Sequence, residues 1–227
     1  MQGFGELAAA LMLFLATHSV PALPALRARV VGLLGKRVYI VVHSVVASLS
    51  LVWLIIAALN APTVVLWGFH AWARWVPILV MPLVCILLVA GFSQGNPFSL
   101  GMGRRDWTPE RPGIVAVTRH PILWAAALWS GAHLFPNGEV RAVLLFGGLC
   151  LFSLIGTRLF DRRRARALSD WAILAQGTSN LPFAAILAGR SIQGWSSGMA
   201  KPILGGAVLY AALLLAHGPV LGLYPIG

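Results

Sequence analysis

GIVAVTRHPILWAAALWSGAHLFP, residues 113–136, opens on a polar knot, Thr118-Arg119-His120-Pro121, and continues as one apolar helix. Pro121 suits the first turn of that helix, where a missing N–H goes unneeded. His133 follows His120 by thirteen residues, roughly 20 Å further along the axis at 1.5 Å per residue. Trp124, Trp129 and Ser130 lie between them. A helix in hydrocarbon does not need two histidines to stand up, so at least one is expected to have a function.

The rest of the chain resembles that helix. Apolar residues make up 59% of it, charged residues 10%, and the mean hydropathy is +0.83. Too little polar surface is left for a soluble globule. Runs of about 17 to 22 apolar residues recur, the length needed to cross about 30 Å of hydrocarbon. The fold class predicted is all-α, a polytopic transmembrane helical bundle forming a single domain over 1–227. Its six spans fall at roughly 3–20, 38–59, 76–92, 121–135, 140–160 and 202–223.

The net charge of +11 follows the same plan and does not point to nucleic acid. Arg27, Arg29, Lys36 and Arg37 in the first loop face no acid. The third loop sets Arg104, Arg105, Arg111 and Arg119 against Asp106 and Glu110, and the fifth sets seven basic residues against Asp161 and Asp170. These loops share one side, which the positive-inside rule makes cytoplasmic, so both termini are expected to face outward. Arg162, Arg163, Arg164 and Arg166 would hold anionic lipid headgroups, or grip the carboxylates or phosphates of a cofactor.

Cys85 and Cys150 sit mid-span without a CxxC or CxxCH pattern, so neither a redox pair nor covalent haem attachment is indicated. The N-terminus lacks the basic stretch of a cleaved signal peptide, and the first span is expected to be retained. Pro21 and Pro24 should break span 1, with residues 25–35 forming a short basic interfacial segment. Spans 1 and 2 run as a hairpin that brings His18 and His43 to similar depth. Trp53, Trp67, Trp72 and Trp75 form an interfacial belt. Pro82 should kink span 3 unless a neighbour satisfies the freed carbonyl. Asn96-Pro97 and Arg111-Pro112-Gly113 are turn signals in a polar loop, where Gly101–Arg105 reads as flexible. The segment 169–189 is too short to cross.

Five blocks in order carry a family resemblance: THSVPALPALR (17–27), RWVPILVMPL (74–83), the opening stretch, RLFDRRRARAL (158–168) and GTSNLPFAAILAGR (177–190). Together they resemble the NnrU family of bacterial membrane proteins, associated with nitrite and nitric oxide reduction in denitrification. That family is similar to the 15-cis-zeta-carotene isomerase of plants and cyanobacteria, a membrane enzyme with non-covalently bound haem b. The resemblance implies a multi-pass protein of the bacterial inner membrane that binds haem b, with His18 and His133 as axial ligands. Arg119 and His120 would then sit at the inner mouth, pairing with haem propionates or orienting a ligand. The isomerase has a cysteine three residues before its second ligand; here that residue is Ser130. An apolar substrate such as a carotenoid fits the enzymatic alternative, a haem-dependent cis–trans isomerase.

Depth alone suggests other pairings. His133 lies about 18 Å into span 4 if that helix starts at the inner surface, while His18 is close to the cytoplasmic face. By that measure His133 pairs with His217, and His18 with His43 or His120. The Arg119-His120-Pro121 block also resembles membrane methyltransferases of the isoprenylcysteine carboxyl methyltransferase type, which hold S-adenosylmethionine between such a block and a downstream acid. Asp161 would be that acid, although the usual residue is glutamate and the downstream tyrosines are absent. A non-enzymatic assembly factor is the remaining alternative. The acidic residues lie outside the spans or at their ends, so a paired-carboxylate site within the membrane is not expected.

Overall fold

The computed structural model describes residues 3–20, 23–101, 103, 107–190 and 198–226. Its regular structure is helical: α1 (Gly5–Ser19), α2 (Pro24–Leu34), α3 (Lys36–Asn60), α4 (Trp75–Ser93), α5 (Pro121–Leu134), α6 (Val140–Ala142), α7 (Gly148–Ala167), α8 (Trp171–Ala175), α9 (Ala184–Leu187) and α10 (Ala200–Leu221). A π-turn, Val143–Gly147, joins α6 to α7. Among the described residues there is no strand, only the isolated bridges Val65–Glu139 and Thr108–Arg111. Pro21, expected to end span 1, lies outside the described residues, as do Met102, Arg104, Arg105 and Asp106 of the third loop.

Among the described residues four helices are long and apolar enough to cross a bilayer: Lys36–Asn60, Trp75–Ser93, Val140–Ala167 and Ala200–Leu221. The segments read as the first and fourth spans form α1 and α5, of 15 and 14 residues. At 1.5 Å per residue each reaches about 22 Å, short of the hydrocarbon thickness of about 30 Å. The reason in α5 is local: Pro121 sets its start, and Pro136 with the following Asn137-Gly138 turn stops it.

The chain divides into two compact units, Met1–Phe69 with Asn137–Gly148, and His70–Pro136 with Leu149–Gly227. In the first, α1 buries Leu7, Ala10 and Phe14, a stripe with helical spacing. It packs on α3, which buries Ser50, Leu54, Ala57 and Ala58. Thr17 Oγ1 meets Ser50 Oγ at 3.1 Å, and the Trp53 indole donates to Glu6 at 3.2 Å. Glu6 precedes Thr17 while Trp53 follows Ser50, so the helices run antiparallel, as a hairpin requires. α2 lies against α3.

In the second unit α4 packs against both α5 and α10. Pro82 inside α4 has no N–H for the Ile78 carbonyl four residues back. The Tyr210 hydroxyl of α10 donates to that carbonyl at 3.1 Å. The unit's core is built from the loop before α5. Phe98, Trp107, Ile114, Val115 and Val117 are buried with Val84 and Leu87 of α4 and Leu174 of α8. Phe98 stands edge-on to Trp107 and Trp171, at 5.4 and 5.5 Å between ring centroids. A connection that reads as polar from its Gly, Pro and Arg content thus supplies much of this unit's apolar interior.

Candidate functional site

Pro121 excludes helical backbone at the preceding residue, and His120 accordingly has φ −124° and ψ 58°. That non-helical entry lets 117–120 lie beside 179–183. The Arg119 N–H donates to the Ser179 carbonyl at 2.9 Å, and the Phe183 N–H to the Val117 carbonyl at 2.8 Å. The Thr118 hydroxyl donates to the Asn180 carbonyl at 2.7 Å and accepts from the His120 N–H at 3.2 Å. The Trp124 indole donates to the same Asn180 carbonyl at 2.8 Å. From α4's end, Asn96 donates to the Arg119 carbonyl at 2.9 Å while its Oδ1 accepts from the Phe98 and Ser99 N–H groups. The Asn-Pro turn signal is therefore an Asx-type turn that also pins the polar knot.

Asp161, near the C-terminal end of α7, sits at the centre of the side chains so positioned. Arg119 grips it with two bonds, Nε to Oδ1 at 2.9 Å and Nη2 to Oδ2 at 2.6 Å. His120 Nε2 donates to Oδ1 at 2.7 Å, and Asn180 Nδ2 to Oδ2 at 3.2 Å. A carboxylate offers about four acceptor positions, and these four donors take them all. Arg119 also reaches Thr178 Oγ1 at 3.3 Å and lies over the Trp171 ring at 5.4 Å. The cluster is largely withdrawn from solvent: Arg119 and Asp161 side chains are 13% and 17% exposed, and His120 is fully buried. With Nε2–H committed to Asp161, Nδ1 of His120 carries the lone pair, and that buried nitrogen has no partner among the described residues.

Arg119 and His120 are thus brought together, by each other's partner. The residues missed by sequence reasoning are Asn180, Thr178 and Asn96. Asp161 was visible as an acid inside an arginine run, a setting that reads as a lipid-facing collar and hides a buried ion pair.

The remaining histidines lie elsewhere. His18 belongs to the first unit and His133 to the second. His18 Nδ1 donates to the Phe14 carbonyl at 2.9 Å, and His133 Nδ1 to the Trp129 carbonyl at 2.7 Å. Both bonds run four residues back along the helix. A carbonyl only accepts, so in a neutral ring Nδ1 carries the proton and Nε2 the lone pair, the arrangement of a metal-ligating histidine. His217 does the same toward the Leu223 carbonyl at 2.8 Å. His43 stacks on Tyr39 at 5.7 Å. No group of three or more His, Cys, Asp or Glu side chains suited to a metal ion occurs among the described residues.

In donor chemistry these imidazoles fit haem iron. The cavities described are less suited to a porphyrin. One, of about 550 Å³, lies between Trp107, Pro112, Leu174, Thr178 and Arg190 and has no histidine in its wall. Another, of about 160 Å³, touches His43 but falls below the roughly 300 Å³ at which small-molecule sites begin.

Several helices of membrane-crossing length and apolar composition define a helical membrane protein. The model of the NnrU protein family matches residues 6–225, and the chain belongs to that family. It is similar to the chloroplastic 15-cis-zeta-carotene isomerases of Arabidopsis thaliana, 36% identical over 81 residues, and Zea mays, 37% over 79. These matches cover 35% and 34% of this chain, and the chain spans 22% of the length of either relative. No solved structure matches it.

Proposed function

We propose that this protein is a haem b-binding membrane protein that uses the haem in redox or regulatory support of nitrogen-oxide respiration. The observation that carries the reading is the shared state of His18 and His133. Each commits Nδ1–H to the backbone carbonyl four residues back, which fixes its tautomer and ring orientation. These are the two residues expected as iron ligands from the resemblance to haem-containing relatives. A bound haem would supply an iron centre able to change oxidation state or take a small ligand. The chain's own part is to hold two imidazoles in one tautomer and orientation and to keep the surroundings apolar. Arg119 and His120, both held by Asp161, would stand at the inner mouth and pair with the haem propionates or orient a ligand. We further read the bundle as having six membrane-embedded helices, with α1 and α5 as the short ones, both termini outward, in a bacterial inner membrane.

The test is an absorption spectrum of detergent-purified protein. A Soret band with sharp α and β bands on reduction is expected, and His18→Ala or His133→Ala should alter it. Unchanged spectra in both variants would remove that pair as ligands, and His133 with His217 or His18 with His43 would be tried next.

A second reading, carotenoid cis–trans isomerisation, is favoured by the isomerase relatives. Conversion of 15-cis-zeta-carotene by the reduced protein would establish it; turnover absent from haem-loaded protein would set it aside. S-adenosylmethionine-dependent methyl transfer draws no support from Asp161, whose oxygens are engaged by Arg119, His120 and Asn180.

A further inference from the structure

In the first unit α1, α2 and α3 leave a groove of about 160 Å³ walled by Val20, Val30, Leu34, Tyr39, Val42 and Val46. We propose that this groove seats an acyl chain of one anionic phospholipid, whose phosphate is held by the basic residues of α2 and α3. The inference does not rest on the haem reading, although the groove also touches His43.

Three observations converge on that occupant. The walls are mostly aliphatic, with Thr17, Tyr39 and His43 among them, and the volume suits a short length of hydrocarbon chain better than a ring system. The helices that form the groove carry Arg27, Arg29, Lys36 and Arg37, all exposed, and no acidic residue occurs in the sequence between Glu6 and Asp106. Glu6 is engaged by Trp53. Among the described residues none of these four forms a salt bridge, and each such residue attracts an anionic headgroup by about fivefold in affinity. Arg27 is placed at the groove itself, its guanidinium carbon 5.9 Å from the centre of the Tyr39 ring.

The third observation is Tyr39. Its side chain lines the groove and is 6% exposed, and its hydroxyl is buried with no partner among the described residues. A buried phenol O–H needs an acceptor. A phosphate or ester oxygen of a lipid supplies one, whereas the ammonium of a zwitterionic headgroup would bring a fifth positive charge to a site that already holds four.

Delipidated protein in detergent, followed by native mass spectrometry, tests the assignment with three probes: phosphatidylglycerol, phosphatidylcholine with the same chains, and glycerol phosphate. One phosphatidylglycerol per chain is expected to be retained. Arg27→Gln should weaken retention about fivefold, and Tyr39→Phe, which removes one atom and leaves the fold, should weaken it measurably. Val42→Trp, which fills the groove and keeps every charge, should abolish it. Arg162→Gln, in the other basic stretch, should leave it unchanged. Equal retention of phosphatidylcholine would overturn the proposal, because the groove would then accept any chain. Displacement by glycerol phosphate would also overturn it, by showing a site for a free anion. So would an Arg162→Gln effect as large as that of Arg27→Gln, which would mean diffuse attraction with no seat.

Discussion

His120 Nε2 donates to Asp161 Oδ1 at 2.7 Å, and the same oxygen accepts from Arg119 Nε at 2.9 Å. One carboxylate thereby neutralises a guanidinium and orients an imidazole that is fully buried. Removing the carboxylate leaves a buried cation without its counter-charge, which typically costs about 3–5 kcal/mol. Asp161→Ala should therefore lower the melting point in detergent more than any single change among the exposed arginines that follow it. Arg119→Lys should fall in between, because an ammonium cannot reproduce the two-bond grip. Replacing Arg119 and Asp161 together by leucine should recover part of the loss. A double variant as unstable as the sum of the singles would mean that the pair is not coupled.

Burial holds the His120 imidazole below its ordinary pKa, with the Asp161 bond opposing that shift in part. The folded protein therefore binds fewer protons here than the unfolded chain at pH values below about 6.5. Stability rises with pH wherever the unfolded state binds more protons. Acidification from about pH 6.5 toward the lowered folded value should thus reduce the melting point, and above that window this group should contribute no slope. The check is a melting series from pH 7.5 to 5 on the wild type and His120→Gln. The variant should show a shallower decline, and parallel curves would exclude His120 as the source.

Tyr210 and Pro82 make a separable pair. The proline frees the Ile78 carbonyl, and the tyrosine hydroxyl occupies it at 3.1 Å. Tyr210→Phe leaves that carbonyl unsatisfied in an apolar setting, a loss of about 1–3 kcal/mol. Pro82→Ala restores a backbone N–H to the same carbonyl, so Tyr210→Phe should matter much less in that background. Melting points of the four proteins in one detergent complete the cycle. An undiminished Tyr210→Phe effect in the Pro82→Ala protein would assign the tyrosine's contribution to packing.

Much of this architecture is legible from local chemistry. The helices, the α1–α3 hairpin, the Asn96 turn and the need for a partner at Pro82 all follow from hydropathy, turn residues and the missing proline N–H. Span length is harder to read, because an apolar run says how greasy a segment is and not how many of its residues stay helical, as between Pro121 and Pro136 around α5. The ionic cluster was harder still. Arg119 and Asp161 are 42 residues apart, and Thr178 and Asn180 come from a stretch with no periodicity. Nothing local tells a carboxylate in an arginine run that its partner lies across the unit. Ile114, Val115 and Val117 were hidden for the same reason: three apolar residues between turns look like loop until α8 is seen to cover them.

Gly205 and Gly206 give neighbouring positions with opposite expectations. A Cβ on Gly206 would lie 2.7 Å from Ile86 Cα and 2.8 Å from its N, so α10 approaches the backbone of α4 as closely as a glycine permits. Small residues at such a crossing allow packing that membrane helices otherwise lack a driving force to make. A Cβ on Gly205 would meet the Val89 Cγ1 methyl at 3.1 Å, and that side chain can move by a few tenths of an ångström. Gly206→Ala should therefore force the helices apart and weaken the Tyr210–Ile78 bond with them, by about 1–3 kcal/mol for overpacking alone. Gly205→Ala should be close to neutral. The measurement is detergent melting together with cross-linking of cysteines placed on α4 and α10. Equal loss in both alanine variants would show that helix propensity or general crowding, and not contact with the Ile86 backbone, sets the cost.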